Sequence, residues 1–221
     1  MIRLLVVEDH ALVREGLVRL LRQLEEEVLI AEASNGDEAI AFLEEDDDVD
    51  LVMLDLAMPG MDGFACLNEL RERYPSIPVA VVSAYDDQPS VTRVLNHGAS
   101  GFIPKAYSGE ALLSAVREIL EGNLFRPNAA LSPATIDDVL PQAPGEGNVT
   151  PAEIGLTDRQ AQVLALMVRG LPNREIARQL DLSEGTVKVH ATAIFKALGV
   201  SSRTQALLTV SRYRIDFDRV F

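Results

Sequence analysis

An α/β fold, a doubly wound five-stranded parallel sheet followed by a small all-α domain with a helix-turn-helix, is predicted by three features of this chain. Between residues 2 and 121, short apolar runs alternate five times with segments of helical periodicity, the pattern of repeated strand–helix units. Between residues 123 and 154, five prolines and two glycines interrupt that periodicity, which is linker composition. Beyond the linker, helix-capping signals recur closely and no strand pattern appears.

The strand-like runs fall at 2–7, 28–33, 51–54, 79–83 and 101–104, and the helical patterns at 11–24, 37–45, 63–74, 89–97 and 109–121. Parallel strands need crossovers, and right-handed helical crossovers cover both faces of the sheet. Within the linker a short helix is expected near 134–140. Downstream, Thr157 and Gln160 have the spacing of a capping box, with Leu156 before them as a staple, so a helix runs from there to Arg169 or Gly170. Asn173 is expected to cap a second helix through Leu180, Ser183 a third that ends before Gly199, and a fourth begins at Ser202 or Arg203. The second and third, joined by Asp181-Leu182-Ser183, form the helix-turn-helix. The expected division is a first domain at 1–122, a linker at 123–153 and a second domain at 154–221.

No apolar run approaches the roughly 18 residues of a membrane span, and the first stops at Glu8-Asp9, too early for a signal peptide. A cytoplasmic protein with no membrane partner is expected. The single Cys66 lies among apolar residues of a helical pattern and reads as core. The net charge of -14 is unevenly divided: residues 1–122 hold 9 Lys/Arg against 24 Asp/Glu, whereas residues 155–221 hold 10 against 6. The acidic half is unsuited to nucleic acid, and the basic half carries the footprint that phosphate backbones attract. The run Glu44-Glu45-Asp46-Asp47-Asp48 falls between a helix and a strand and reads as a solvated loop.

In such a sheet the carboxyl ends of the strands share one edge, where ligands meet open α/β folds. The first strand delivers Glu8 and Asp9 there, the third Asp55, the fourth Ser83 and the fifth Lys105. Asp55 in that position is a nucleophile or a metal ligand. Three carboxylates so close repel one another unless their pKa values rise or a cation neutralises them, and all-oxygen ligation suits Mg²⁺. Lys105 is a fixed positive charge suited to stabilising a transferring phosphoryl group, and Ser83 can hydrogen-bond a phosphoryl oxygen. His10 sits beside this pocket, at the start of a helix and facing solvent.

The strings Val7-Glu8-Asp9-His10, Leu54-Asp55-Leu56-Ala57-Met58-Pro59-Gly60-Met61-Asp62-Gly63, Ser83-Ala84-Tyr85 and Phe102-Ile103-Pro104-Lys105 resemble the receiver domain of bacterial response regulators, in order, across residues 2–121. The resemblance implies a flavodoxin-like sheet, with Asp55 as phosphoacceptor. It further implies that Glu8, Asp9, Asp55 and the Ala57 carbonyl hold Mg²⁺, that Lys105 contacts the phosphoryl group, and that Ser83 and Phe102 form a switch pair. Glu8 stands where the family more often has Asp, and its longer side chain admits binding the metal through water. Gly60 and Gly63 read as backbone devices.

On the third downstream helix, Val187, Ala191, Ile194 and Leu198 gather on one side at 100° per residue, and this face packs. Lys188, Val189, Thr192 and Lys196 fall opposite with Gly185. That face suits a major groove: lysine reaches guanine acceptors or phosphate, threonine a base edge, valine a thymine methyl. His190, at the border, either contacts phosphate or packs. The strings Leu156-Thr157-Asp158-Arg159-Gln160, Gly170-Leu171-Pro172-Asn173-Arg174-Glu175-Ile176-Ala177, Leu182-Ser183-Glu184-Gly185-Thr186-Val187-Lys188-Val189-His190 and Leu198-Gly199-Val200 resemble the LuxR-type helix-turn-helix, with Gln160 replacing a common glutamate. With the receiver, this is the arrangement of the NarL/FixJ response regulators.

The resemblance implies a transcription regulator, not a metabolic enzyme, phosphorylated on Asp55 by a sensor histidine kinase and only slowly dephosphorylated. It would bind promoter DNA as a homodimer through Thr186, Lys188, Val189, His190, Thr192 and Lys196, with RNA polymerase as a further partner. In the last helix Ala206, Leu207 and Val210 either pair two DNA-bound modules or finish the core. One alternative is a DNA-binding regulator whose receiver is structural and unphosphorylated. Another is an Asp-nucleophile phosphatase, but such enzymes usually carry a second Asp two residues on, where this chain has Ala57. Dinucleotide binding lacks its glycine-rich loop after the first strand.

Overall fold

Five strands, β1 (Ile2–Val7), β2 (Val28–Ala33), β3 (Leu51–Asp55), β4 (Val79–Ser83) and β5 (Gly101–Pro104), form one parallel sheet in the order β2-β1-β3-β4-β5. The computed structural model describes residues 1–58, 63–84, 87–127, 149–213, 215 and 217. Gly60, Tyr85 and the helix expected near 134–140 lie outside them.

The helices α1 (Ala11–Leu21), α2 (Gly36–Glu45), α3 (Gly63–Arg73) and α4 (Gln88–Asn96) cross between the strands, and α5 (Gly109–Leu120) follows β5. Strand residues alternate between two cores because successive side chains point to opposite faces. Leu5, Val7, Val52, Leu54, Val79, Val81 and Phe102 meet α2, α3 and α4, whereas Leu4, Val6, Met53, Ala80, Val82 and Ile103 meet α1 and α5. Helix α1 ends at Leu21 instead of Leu24, and Leu24 turns back into the core through a hydrogen bond from its N–H to the Leu21 carbonyl. Glu25, Glu26 and Glu27 follow, and negative charge is unfavourable at a helix carboxyl end.

The second domain consists of α6 (Asp158–Val168), α7 (Asn173–Leu180), α8 (Glu184–Leu198) and α9 (Arg203–Tyr213) around a separate core that includes Leu164, Ile176, Val187, Ile194 and Phe195. Both halves of the capping box form: the Thr157 hydroxyl accepts from the Gln160 N–H, and the Gln160 side chain accepts from the Thr157 N–H. Ser183 caps α8 and Gly199 closes it in the left-handed region. Asn173 departs from expectation. Pro172 occupies the cap position of α7, and the Asn173 Oδ1 is buried without a hydrogen-bond partner. Cys66 is core, as expected, and burial pushes its thiol up to about 12. Among the described residues no helix is long and apolar enough to cross a membrane.

Gly63 shows why the chain after β3 carries glycine. A Cβ there would lie 2.4 Å from the Cα of Leu56, a backbone atom that cannot swing aside. Gly63→Ala is therefore expected to destabilise the first domain by about 1–3 kcal/mol, as overpacking does, measured by urea unfolding; an unchanged midpoint would show that the β3–α3 connection gives way freely.

Candidate functional site

The strand order reverses between β1 and β3, and the carboxylates collect at that switch point. Glu8 and Asp9 follow β1 directly, and Asp55 is the last residue of β3. Glu8 and Asp55 are only 1% and 2% exposed, which is tolerable for carboxylates only when they are compensated. Lys105, just after β5, provides the compensation: its ammonium donates to Glu8 Oε2 at 2.7 Å and to Asp55 Oδ2 at 2.9 Å. Burial disfavours the Lys105 ammonium, but the bonds to Glu8 and Asp55 outweigh it and hold its pKa above the usual lysine value. The lysine itself is placed by its backbone, whose N–H donates to the Ser83 carbonyl at 2.7 Å.

The other sequence-predicted residues arrange around this ion pair. Ser83 is buried at the end of β4, and Phe102 lies wholly inside the core one strand away. The Ala57 N–H donates to Asp55 Oδ1 at 3.2 Å and so orients the carboxylate. Ligand atoms of Glu8, Asp9, His10 and Asp55 all lie within 4.8 Å of one another. His10 is solvent-facing, as expected, yet its Nδ1 is 2.9 Å from Asp9 Oδ1 and 3.2 Å from Glu8 Oε1. Arg14 was not singled out by the sequence. Its Nη1 donates to the Glu8 carbonyl at 2.6 Å and fixes the loop that carries the acidic pair.

On α8, Gly185, Val189, Thr192 and Lys196 are exposed together, as the helical period requires. Val189 stands out as a large apolar side chain that is 68% exposed. Thr186 is half-buried and turned to the cap, 2.8 Å from the Ser183 hydroxyl, and His190 is half-buried. Lys188 breaks the pattern. It is only 8% exposed, because the first domain covers it: its ammonium donates to Asp48 at 3.0 Å and to the Asp47 carbonyl at 3.2 Å.

The acidic run is thus a receptor for cations of its own chain and not merely a solvated loop. Arg3 pairs with Asp46 and Asp48, and Lys188 with Asp48. The bond to Lys188 holds the Asp48 carboxyl below its usual range. The run of negative charge was visible in the sequence, but its partner lies 140 residues away. On α9, Ala206 and Val210 are buried in the module core and Leu207 packs partly against it, so the first two are spent on packing.

The domains meet at the amino edge of the sheet, opposite the carboxylate pocket. Besides the Lys188 contact, Gln205 Nε2 donates to the Asn96 carbonyl at the end of α4. Two glycines with positive φ, Gly98 and Gly122, admit close approach there. A Cβ on Gly98 would lie 2.8 Å from the Ser201 hydroxyl, and one on Gly122 would lie 2.8 Å from the Arg203 guanidinium.

Comparison with known proteins gives two family matches: the response regulator receiver domain over residues 4–117, and the bacterial regulatory proteins of the luxR family over residues 155–210. The chain is 36% identical to the nitrate/nitrite response regulator NarL of Escherichia coli, covering 96% of each chain. It is 35% identical to the glycerol metabolism activator of Pseudomonas putida, covering 98% of this chain and 97% of that one. A LuxR-family DNA-binding response regulator from Silicibacter pomeroyi matches structurally with TM-score 0.52 and 36% identity, over 58% of this chain and 99% of that one. RcsB of Salmonella typhimurium, at 22% identity and TM-score 0.53 over 96% and 98%, shares the fold.

The ion pair sets a measurable expectation. Lys105→Met leaves two buried carboxylates uncompensated and is expected to lower stability at pH 7 by about 3 kcal/mol, measured by denaturant unfolding; an unchanged midpoint would contradict the compensating role.

Proposed function

The chain belongs to the NarL/FixJ response regulators, transcription regulators of two-component systems with a receiver and a LuxR-type DNA-binding domain, and on that premise we propose that Asp55 is the phosphoacceptor whose phosphorylation frees the recognition helix α8. The observation that carries this reading is the Lys105 ammonium bonded to two buried carboxylates at the switch point of the sheet. We take the receiver as residues 1–122, the linker as 123–153 and the DNA-binding module as 154–221.

Asp55 attacks the phosphorus of a phosphohistidine on a sensor kinase, the P–N bond breaks and the imidazole leaves. Lys105 then exchanges part of its bonding from the Asp55 carboxylate to a phosphoryl oxygen, and Ser83 donates its hydroxyl to another. Glu8, Asp9 and Asp55 with Lys105 leave two formal negative charges in the pocket, a hard-oxygen set that fits one divalent cation. Mg²⁺ bound there by Glu8, Asp9, Asp55 and the Ala57 carbonyl would neutralise charge on the transferring group. Water hydrolyses the acyl phosphate slowly, which sets the lifetime of the signal. As Ser83 turns to the phosphoryl group, Phe102 repacks beneath it.

The output follows from Lys188. With its ammonium on Asp48 and Asp47, the residue best suited to guanine or phosphate is withheld from DNA. Opening the domain contact returns it to the face that carries Val189, Thr192 and Lys196, with Thr186 and His190 at its border, and a homodimer then engages promoter DNA in the cytoplasm beside RNA polymerase. Of the three α9 residues considered for pairing two modules, Leu207 retains surface for that contact.

Asp55→Asn is expected to abolish labelling by a small phosphodonor with Mg²⁺, and undiminished labelling would sink the assignment. Asp48→Lys replaces the Lys188 ion pair with a repulsion and is expected to raise the DNA affinity of the unphosphorylated chain by about fivefold, the equivalent of roughly 1 kcal/mol. Lys188→Ala should lose specific DNA binding while Asp55 still takes phosphate. Because the Asp48 carboxyl is held below its unfolded value, its contribution is complete above that value, near pH 4, and is lost as pH falls through the lower folded value. The closed contact should therefore survive titration from pH 8 to 5, read as constant cross-domain fluorescence transfer; opening within that window would contradict it.

A further inference from the structure

We propose that His10 is a further ligand of the divalent-cation site and shifts its selectivity toward the later first-row transition ions, Fe²⁺ to Zn²⁺. The proposal rests on the reading of Glu8, Asp9 and Asp55 as a cation site. His10 occupies the N-cap position of α1, where serine, threonine, aspartate or asparagine usually accepts a bond from the first turn, yet its side chain makes no capping bond. The ring turns back to the pocket instead. Its Nδ1 stands 2.9 Å from Asp9 Oδ1 and 3.2 Å from Glu8 Oε1.

Glu8 divides its two oxygens. Oε2 accepts from Lys105 at 2.7 Å, while Oε1 lies on the histidine side and also accepts from the His10 backbone N–H. In a six-coordinate site with bonds of about 2.1 Å, neighbouring ligand atoms stand about 3 Å apart. The His10 nitrogen already has that separation from one oxygen of Asp9 and one of Glu8, and the ligand atoms of these three residues and Asp55 all lie within 4.8 Å of one another. The ring itself is exposed, so it can adjust to an ion without disturbing the core.

The donor types decide what the nitrogen adds. Carboxylate and carbonyl oxygens suit Mg²⁺, which retains several waters, whereas imidazole suits iron, nickel and zinc. A later transition ion therefore gains from exchanging a water for the His10 nitrogen, and Mg²⁺ gains little. Oxygen ligands alone already favour later ions over Mg²⁺. The informative quantity is thus the change in selectivity when the imidazole is removed, not the selectivity of the native chain.

The test is calorimetric titration of the full chain with Mg²⁺, Co²⁺ and Ni²⁺, native and as His10→Ser, a substitution that supplies a capping hydroxyl to α1. Affinity for Co²⁺ and Ni²⁺ should fall about tenfold in His10→Ser, and affinity for Mg²⁺ by less than about threefold. The native chain with Co²⁺ should show paramagnetically shifted imidazole C–H proton resonances that His10→Ser lacks. Asp9→Asn should weaken binding of all three ions, which separates this site from the other two histidines, His97 and His190. If none of the three ions binds the native chain, the cation-site reading fails and the role of His10 with it. If Mg²⁺ binds, three results overturn the role of His10 alone: equal losses for Mg²⁺ and Co²⁺ in His10→Ser, Co²⁺ affinity and resonances unchanged by that substitution, or undiminished Co²⁺ binding by Asp9→Asn.

Discussion

Two buried carboxylates and one ammonium govern this molecule. Glu8 and Asp55 sit at adjacent strand ends where the strand order reverses, almost without solvent, and Lys105 reaches across from β5 to both. Neither acid is tolerable there alone. The pocket is thereby held between the ammonium already present and the additional positive charge that its remaining negative charge favours. Ser83 ends β4 and Phe102 lies in the core on β5, the two strands that stand between the end of β3 and Lys105.

The second ionic contact stands at the opposite edge of the same sheet. Lys188 meets Asp47 and Asp48 just before β3, whereas Asp55 ends that strand, and a strand of this length separates the two by roughly 17 Å. Helix α4 spans both edges: it begins soon after Ser83, and its last residue, Asn96, accepts from Gln205 of the DNA-binding module. Gly98 and Gly122, where the module leaves no room for a Cβ, flank the ends of α4 and α5. A shift of α4 toward the Asp55 edge would therefore loosen the seat of α9 and, with it, the burial of Lys188. The element is packed on one side against the core that contains Phe102, which gives the two edges a shared rigid body.

Most of the fold was legible because local chemistry and global topology agree. Alternating apolar residues set which side of the sheet each strand residue meets, and the Thr157–Gln160 capping box and the Ser183 cap start their helices where the spacing says they should. The pocket was legible because one topology brings all strand ends to one edge. What escaped the sequence was domain-to-domain. Lys188 has the helical phase of an exposed residue, and only the approach of a loop 140 positions earlier buries it. Asn173 carries a cap signal, but Pro172 takes the position, and its amide oxygen is left facing inward at the domain boundary. Ala206 and Val210 lie on a helix whose two faces look alike in sequence, so packing alone could assign them to the core.

On the proposed reading, chemistry at Asp55 controls access to Lys188. The direct measurement is the distance between spin labels placed on the exposed faces of the receiver and of α8, recorded for the full chain with Mg²⁺, before and after addition of beryllofluoride as a phosphoryl mimic. A single short distance before addition and a longer or broadly distributed one afterwards is the predicted result, with no change in an Asp55→Asn chain. A distance that stays the same while beryllofluoride occupies the pocket would contradict it.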